Sequence, residues 1–276
     1  GTFSEVVRLD LDGPEPIPKT VVAKLPVANA NREAAASSGA YHREVAAYSH
    51  LLPLSPITFP KFHAAVTAGP TAAFLLEDLT PLRRVDQLDG LDATDAVAVA
   101  DALGHFHRSW LGRVDAPGNL PAELGVRRSA VAGFSLDSLA RGLDAVRIRW
   151  DEVTSREIEA FADMLANAPA LIAAFTDAAN SDPTLCHGDP RADNLCFAAD
   201  GTAVLFDWQQ IAVQFPEADL AWLAATSLSP GIRRACIDDI LECHGSTAGR
   251  FRLGLVLPGL AALLLAQREA EHDRAR

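Results

Sequence analysis

The chain has 276 residues, of which 49% are apolar, so it can bury a large core in one domain or in two that share a cleft. Its formal net charge of −12 argues against nucleic-acid binding, which needs a basic surface, and favours a small neutral or cationic partner. Four cysteines are too few for a disulfide framework, which predicts a reducing, cytoplasmic setting.

Neither end of the chain predicts a targeting or membrane segment. The first residues, GTFSEVV, lack a methionine and a basic-then-apolar leader, which predicts no signal peptide and a trimmed start. Residues 253–266, LGLVLPGLAALLLA, are uncharged but contain Pro258 and are shorter than the ~20 residues that span a bilayer. We therefore predict a buried helix here and no membrane partner.

The first 80 residues are rich in predicted strands. Residues 2–11 and 20–26 are β-branched runs separated by a turn with glycine and prolines, which predicts an antiparallel ribbon. Residues 31–52 are rich in alanine, have apolar side chains at helical spacing and end before Pro53, so we expect one helix. A further strand is predicted over residues 72–79.

After about residue 80 the pattern becomes helical. Residues 92–110, 135–148 and 155–175 have the period and composition of amphipathic helices. The sequence therefore predicts a strand-rich lobe over residues 1–80 and a larger helical lobe over residues 81–276.

A short β-like island interrupts the helical part. Residues 185–197, LCHGDPRADNLCF, and residues 203–211, AVLFDWQQI, flank a turn and predict two short strands. Asp189 and Asn194 fall in a loop, and Asp207 ends the second strand. Carboxylate and amide oxygens are ligands that suit Mg²⁺, so Asn194 and Asp207 are candidate metal ligands and Asp189 a candidate proton acceptor. Protein kinases likewise use one aspartate as the proton acceptor, and an asparagine and a second aspartate as metal ligands.

The motifs HGDPRADN, FDWQ and DLAWL resemble those of the aminoglycoside phosphotransferase and choline kinase superfamily. The ecdysteroid-kinase-like branch is the most similar, since its second motif commonly carries a glutamine where this chain has Gln209. The resemblance covers nearly the whole chain in order. It implies a two-lobed, protein-kinase-like α/β fold, with a small antiparallel-sheet N-terminal lobe and a larger, mainly helical C-terminal lobe.

The resemblance also implies roles in nucleotide binding. Lys24 would hold the α- and β-phosphates of ATP, although a strand lysine is more often simply exposed. Glu44 would be its ion-pair partner, with Glu33 as the competitor on the same stretch. Backbone groups would bind the phosphates at Gly1, Thr2, Phe3 and Ser4 and the adenine at the hinge residues Glu77, Asp78 and Leu79.

The remaining site residues would support the catalytic loop. His187 would hold the loop by hydrogen bonding, and Asp219 would anchor it from below, although Asp219 also suits an ordinary helix cap. Arg191 either offsets phosphate charge or is solvated. Zinc at Cys186, His187 and Cys196 is not expected, because no C-x-x-C pair is present.

The expected function is ATP- and Mg²⁺-dependent transfer of the γ-phosphoryl group to a hydroxyl of an aminoglycoside-, amino-alcohol- or sterol-like molecule. The alternatives are a catalytically idle nucleotide- or small-molecule-binding protein on the same scaffold, and a metal-dependent hydrolase, which would not need Lys24. Residues 84–183 and the C-terminal helices are expected to select the acceptor. The acceptor's identity, ATP versus GTP, monomer versus dimer, and a resistance versus a metabolic role stay open.

Overall fold

A computed structural model describes residues 4–27, 31–115, 120, 135–149 and 153–274. Gly1, Thr2 and Phe3, at which phosphate contacts are predicted, lie outside the described residues. One antiparallel sheet has the strand order β1-β2-β4-β3. Its strands are β1 (Ser4–Asp10), β2 (Thr20–Pro26), β3 (Phe62–Ala68) and β4 (Thr71–Glu77).

The strand β3 is absent from the sequence prediction. Its sequence, FHAAVTA, is rich in alanine and has only one β-branched apolar residue, Val66, so its strand signal is weak. It lies at the edge of the sheet and most of its side chains are exposed, so it shows no apolar alternation. Tertiary pairing with β4, for example Val66 opposite Ala73, therefore decides its conformation.

The single helix predicted over residues 31–52 is wrong, because the structure divides it. Helix α1 (Asn31–Ser37) ends before Gly39, whose φ of 71° is left-handed, and α2 (Ala40–Ala46) begins after it. A π-helical turn, Ala47–Leu51, then continues α2. This turn places Tyr48 in the core, where its ring stacks on Phe62 at 6.3 Å.

Eight further helices among the described residues make up most of the rest. They are α3 (Ala93–Trp110), α4 (Leu136–Arg149), α5 (Ser155–Ala166), α6 (Ala168–Ser181), α7 (Glu217–Ser227), α8 (Pro230–His244), α9 (Ala248–Gly254) and α10 (Val256–Arg274). The Asp92 side chain caps α3 by accepting from the Asp95 N–H group. The helix predicted over 155–175 is two helices, with a 70° bend and a proline in the first turn of α6.

The apolar segment near the C-terminal end packs on the protein along one face. By length and composition Ala248–Glu271 is apolar enough to cross a membrane. In α10, however, Leu260 and Leu263 are fully buried in a core cluster that includes Leu139 of α4 and Phe215. Leu265 on the other face is exposed. The predicted burial therefore holds for one face of α10.

The β-like island forms two small sheets. The hairpin predicted there is present as β7 (Leu195–Phe197) and β8 (Ala203–Leu205), and a two-residue strand β5 (Arg83–Arg84) pairs with β7. The sequence prediction missed the second sheet, in which β6 (Thr184–Cys186) pairs with β9 (Ala212–Gln214). Asp189 and Asn194 lie between β6 and β7, and Asp207 lies between β8 and β9.

The main hydrophobic core joins the strand-rich part to the helical part. It contains Tyr48, Leu52 and Phe74 from the first part and Phe106 and Trp208 from the second. The predicted α/β class is confirmed: a small antiparallel sheet precedes a larger, mainly helical part.

Candidate active site

A cavity of about 450 Å³ lies between the four-stranded sheet and the β7–β8 hairpin, within the size range of small-molecule sites. Its walls combine apolar and charged side chains: Val6, Arg8, Val22, Lys24, Glu44, Tyr48, Pro60, Leu76, Glu77, Asp78, Leu79, Thr80, Arg84, Cys196, Phe206 and Asp207. Six of the predicted site residues line it, namely Lys24, Glu44, Glu77, Asp78, Leu79 and Asp207. Ser4 does not: it begins β1 opposite Pro26 and is buried.

Lys24 lies between two carboxylates. Its Nζ is 2.7 Å from both oxygens of Glu44 and 2.8 Å from Asp207 Oδ1. Burial opposes charge on Lys24, but Glu44 and Asp207 outweigh it and raise its pKa. Burial raises the pKa of Glu44 to about 7 against the opposing effect of Lys24. Glu33, the competing partner, is exposed on α1, so the geometry selects Glu44.

Asp207 has a backbone conformation that is unusual for a side-chain-bearing residue. Its φ of 64° and ψ of 62° are left-handed, and it is the one such non-glycine residue in the described part of the chain. The Asp207 N–H group donates to the Tyr48 hydroxyl at 3.2 Å, and the buried Arg43 donates through Nε to the Gln209 carbonyl at 2.9 Å. These two contacts hold the segment in its strained conformation. The sequence analysis named neither Tyr48 nor Arg43.

The Asp189 carboxylate receives a hydrogen bond on each oxygen. Trp222 Nε1 donates to Oδ1 at 2.9 Å, and Asn194 Nδ2 donates to Oδ2 at 3.2 Å. Arg191 Nε lies 3.5 Å from Oδ2. Burial raises the pKa of Asp189, while Arg191, His187 and the Trp222 hydrogen bond oppose this increase. The sequence analysis did not identify Trp222, which lies 33 residues away in the chain.

Asp219 holds the backbone of the loop that carries Asp189. Its carboxylate accepts from the His187 N–H group at 2.6 Å and from the Gly188 N–H group at 2.9 Å. His187 Nδ1 accepts from the Asp189 N–H group at 3.2 Å, and His187 Nε2 lies 3.0 Å from the Phe206 carbonyl oxygen. The loop is therefore connected both to α7 and to the segment before Asp207.

Gly188 has to be a glycine for two reasons. Its φ is 85°, in the left-handed region, and a Cβ atom there would collide with the backbone carbonyl of Gln210. The His-Gly-Asp sequence therefore permits close approach of the two loops that carry Asp189 and Asp207.

A chain of buried polar groups continues behind Asp219. His107 Nε2 lies 3.0 Å from Asp219, His107 Nδ1 lies 2.8 Å from His244 Nε2, and His244 Nδ1 lies 2.6 Å from the Ser246 hydroxyl. Burial, together with His107 and Arg108, lowers the pKa of His244 to about 2, so this imidazole is neutral at ordinary pH.

The donor chemistry near Lys24 fits Mg²⁺. Among the residues that the structure describes, Asp207 Oδ2 has one long contact, 3.4 Å, with Gln209 Nε2. Asn194 donates through Nδ2 to Asp189, and its Oδ1 accepts no hydrogen bond from the described residues. A carboxylate oxygen and an amide oxygen with free lone pairs are the hard ligands that Mg²⁺ takes together with phosphate and water.

One group of potential zinc ligands lies elsewhere, behind the loop that carries Asp189. Within the described part of the chain, only His107, Cys186 and Asp219 bring three potential ligand atoms within 4.8 Å of one another. All three are buried, His107 and Asp219 are hydrogen-bonded to each other, and burial raises the pKa of Cys186 well above its ordinary value.

The segment Glu77–Leu79 borders the cavity with its side chains engaged elsewhere. Glu77 Oε2 accepts from the Lys61 N–H group at 3.0 Å. The Asp78 carboxylate accepts from the Thr80 hydroxyl at 2.6 Å and from Arg8 Nε at 2.7 Å, and these hydrogen bonds lower its pKa. The side chains of Glu77 and Asp78 are therefore already hydrogen-bonded within the protein.

The comparisons with known proteins come from sequence and from structure. The model of the phosphotransferase enzyme family matches residues 15–253. This match does not single out the ecdysteroid-kinase-like branch. No curated protein gives a significant match.

Among solved structures, the chain is similar to aminoglycoside phosphotransferase APH(3'')-Id from Streptomyces rimosus, in complex with ADP and streptomycin. The identity is 17%, the TM-score is 0.56, and the alignment covers 91% of this chain and 92% of that one. Choline kinase LicA from Streptococcus pneumoniae has 14% identity and a TM-score of 0.55, with coverage of 97% and 87%. The GDP and kanamycin complex of APH(2'')-IIIa has 12% identity, a TM-score of 0.51 and coverage of 98% and 87%. At these identities the likeness shows the fold.

Proposed function

The chain belongs to the phosphotransferase enzyme family, and on this premise we propose that it transfers the γ-phosphoryl group of ATP, with Mg²⁺, to a hydroxyl of a small molecule. One observation carries the proposal: Lys24 Nζ bridges Glu44 and Asp207 at the cavity wall, at 2.7 and 2.8 Å. A buried lysine between two carboxylates, beside an apolar cavity, matches what a nucleoside triphosphate and its metal require.

The cavity suits a nucleotide in its two regions. Val22, Leu76 and Phe206 offer apolar surfaces to a planar base, and the backbone of Glu77–Leu79 offers hydrogen-bonding groups at its edge. Lys24 would bind the α- and β-phosphates. Two of the solved neighbours described above contain ADP or GDP, which supports nucleotide binding here. We propose that residues 1–80 form the nucleotide-binding lobe and residues 81–276 the acceptor-binding lobe.

Asn194 and Asp207 would hold Mg²⁺, which would neutralise charge on the phosphates. Asp189 would orient the acceptor hydroxyl towards the γ-phosphorus and take its proton as the new oxygen–phosphorus bond forms and ADP leaves. Its partly desolvated carboxylate is suited to that task, because burial disfavours the anionic form and so raises the pKa of Asp189. Lys24 and the metal would stabilise the charge that collects on the leaving phosphate, so most of the catalysis is positioning and electrostatics.

The acceptor would be an aminoglycoside-, amino-alcohol- or sterol-like hydroxyl compound. Streptomycin and kanamycin are bound in two of the neighbours and a third is a choline kinase, which supports the first two classes. We also propose a cytoplasmic setting, since all four cysteines are free thiols.

The test is an assay of acceptor-dependent ADP release with ATP and Mg²⁺. The panel contains aminoglycosides, amino-alcohols, macrolides, sugars and sterol-like alcohols. Asp189→Asn should lower turnover by at least about 100-fold, the lower limit for loss of a positioned base, while nucleotide affinity stays within about twofold. Asp193→Asn is the matched control, because Asp193 is exposed on the same loop and should leave turnover unchanged.

Nucleotide binding that depends on magnesium, with no turnover for any acceptor even after the panel is widened, would contradict the proposal and favour an idle binding protein. Full activity of Asp189→Asn would remove Asp189 from the mechanism.

A further inference from the structure

We propose that Trp222 is a positioning residue for the catalytic carboxylate, its indole N–H group fixing the plane in which Asp189 meets the acceptor hydroxyl. The inference rests on the proposed phosphotransferase function, since it assigns a role within that reaction. Trp222 lies in the DLAWL motif, but the sequence alone assigns it no role. The geometry does, because Trp222 Nε1 donates to Asp189 Oδ1 at 2.9 Å.

The two hydrogen bonds to Asp189 act together. An aspartate carboxylate rotates readily about its last side-chain bond, because that torsion has only broad energy wells. Asn194 Nδ2 contacts Oδ2 at 3.2 Å, and this contact alone leaves the plane free to turn. With Trp222 as the donor to Oδ1, each carboxylate oxygen accepts a hydrogen bond from a different part of the fold. The two hydrogen bonds together fix the plane of the carboxylate and the direction of its remaining lone pairs.

Trp222 comes from the same helix that holds the loop backbone. Asp219 and Trp222 are three residues apart on α7 and therefore lie on neighbouring positions of one face. Asp219 binds the N–H groups of His187 and Gly188, and further along α7 Ser227 Oγ accepts from the Ala192 N–H group at 2.9 Å. The helix α7 thus sets the backbone of the loop and, through Trp222, the side chain that performs the chemistry.

An indole is well suited to this position. It donates a hydrogen bond and cannot accept one, so it cannot compete with Asp189 for the proton of the acceptor. It is uncharged, so its hydrogen bond lowers the pKa of Asp189 less than the charge of Arg191 on the other side of the carboxylate does. Trp222 is half-buried, so its N–H group reaches Asp189 from a partly desolvated position.

The test separates the N–H group from the shape of the ring. At position 222 one protein carries 5-fluorotryptophan, which keeps the N–H group, and another carries 3-benzothienylalanine, in which sulfur replaces it. We expect the fluorinated protein to keep the wild-type kcat. In the benzothienyl protein kcat should fall by roughly tenfold to a hundredfold, as it does when a catalytic group is misplaced. KM for ATP and for the acceptor should stay within about twofold in both, and Trp222→Phe should resemble the benzothienyl protein.

A second readout does not depend on an acceptor. In protein labelled with ¹⁵N in its indole groups, the Trp222 resonance is assigned from its loss in Trp222→Phe. Asp189→Ala should move that resonance upfield, towards the position of an indole without a strong acceptor. A matched variant, Asp193→Ala, should leave it in place.

Equal kcat values for the fluorinated and benzothienyl proteins would overturn the inference, as would an indole resonance that Asp189→Ala does not move. Failure of the proposed function would give different results. Either the Asp189→Asn protein would be as active as the wild type, or no acceptor in the panel would give turnover (a silent panel). With a silent panel the indole resonance alone decides whether the contact exists.

Discussion

At the scale of single residues, Lys24 is a buried cation held between two carboxylates. Its ammonium group and the Glu44 carboxylate are both buried, so removal of Lys24 leaves the Glu44 carboxylate without its cationic partner. We expect Lys24→Met to lower the free energy of unfolding by roughly 3 kcal/mol. The double variant Lys24→Met/Glu44→Gln should recover at least about 1 kcal/mol of that loss, because no unpaired carboxylate remains at position 44.

Urea unfolding of the wild type, the two single variants and the double variant completes the cycle. Losses in the double variant that equal the sum of the two single losses would show that the pair contributes no coupling. ATP affinity measured on the same proteins then separates the effect of Lys24 on binding from its effect on stability.

The sequence predicted site residues that lie close together in the chain and missed those that tertiary structure brings in. Asp189 and Asn194 are separated by 5 residues, and a short motif makes them visible. The contact of Tyr48 with Asp207 spans 159 residues and that of Arg43 with Gln209 spans 166. A single tyrosine or arginine in a helical stretch has no local feature that marks such a contact. Ser4, at which a backbone contact with phosphate is predicted, lies in β1 opposite Pro26 and does not line the cavity.

At the scale of elements, the pairing of α4 with α10 depends on a glycine. A Cβ atom at Gly142 would collide with the backbone carbonyl of Leu263, which is fully buried in α10. Gly142→Ala therefore has to push the two helices apart, and overpacking of this kind costs about 1–3 kcal/mol. Thermal unfolding should show a lower Tm.

The matched control is Gly249→Ala in α9, where the added methyl group would meet nothing within 4 Å. There alanine's higher helix propensity should leave the Tm unchanged or raise it slightly. An equal loss of Tm in the two variants would contradict the packing argument.

Helices and strands with strong periodicity were predicted well, and their interruptions were not. The pattern over residues 92–110 placed α3 within one residue of its observed bounds. The breaks at Gly39 and between α5 and α6 follow from backbone geometry that a continuing apolar period conceals. The strand β3 was missed because an exposed edge strand has no buried face to impose alternation.

At the scale of the whole molecule, the two parts of the chain share one core, so thiol exposure reports on global folding. Cys186, Cys196 and Cys236 are buried, and burial raises the pKa of Cys196 to about 11. We expect an aromatic disulfide reagent to modify one thiol, Cys243, rapidly in the native protein and all four in guanidinium chloride. Rapid modification of two or more thiols in the native state would contradict the burial of the other three.

The order of motifs along the whole chain predicted the fold class, because each motif marks one place in a two-part architecture. Composition and net charge could not identify the acceptor, since they describe the entire surface and not the proposed site around Asp189. That region is assembled from α7 and from the loops between β6 and β9, which are brought together by long-range contacts.

The most direct measurement is the fate of the γ-phosphoryl group. Protein, ATP, Mg²⁺ and the acceptor selected by the panel are incubated, and the acceptor and free phosphate are quantified by ³¹P NMR and mass spectrometry. We expect one phosphate monoester on the acceptor for each ADP formed, and no such product with Asp189→Asn. ADP formed with an equal amount of inorganic phosphate and an unmodified acceptor would contradict it and identify a hydrolase.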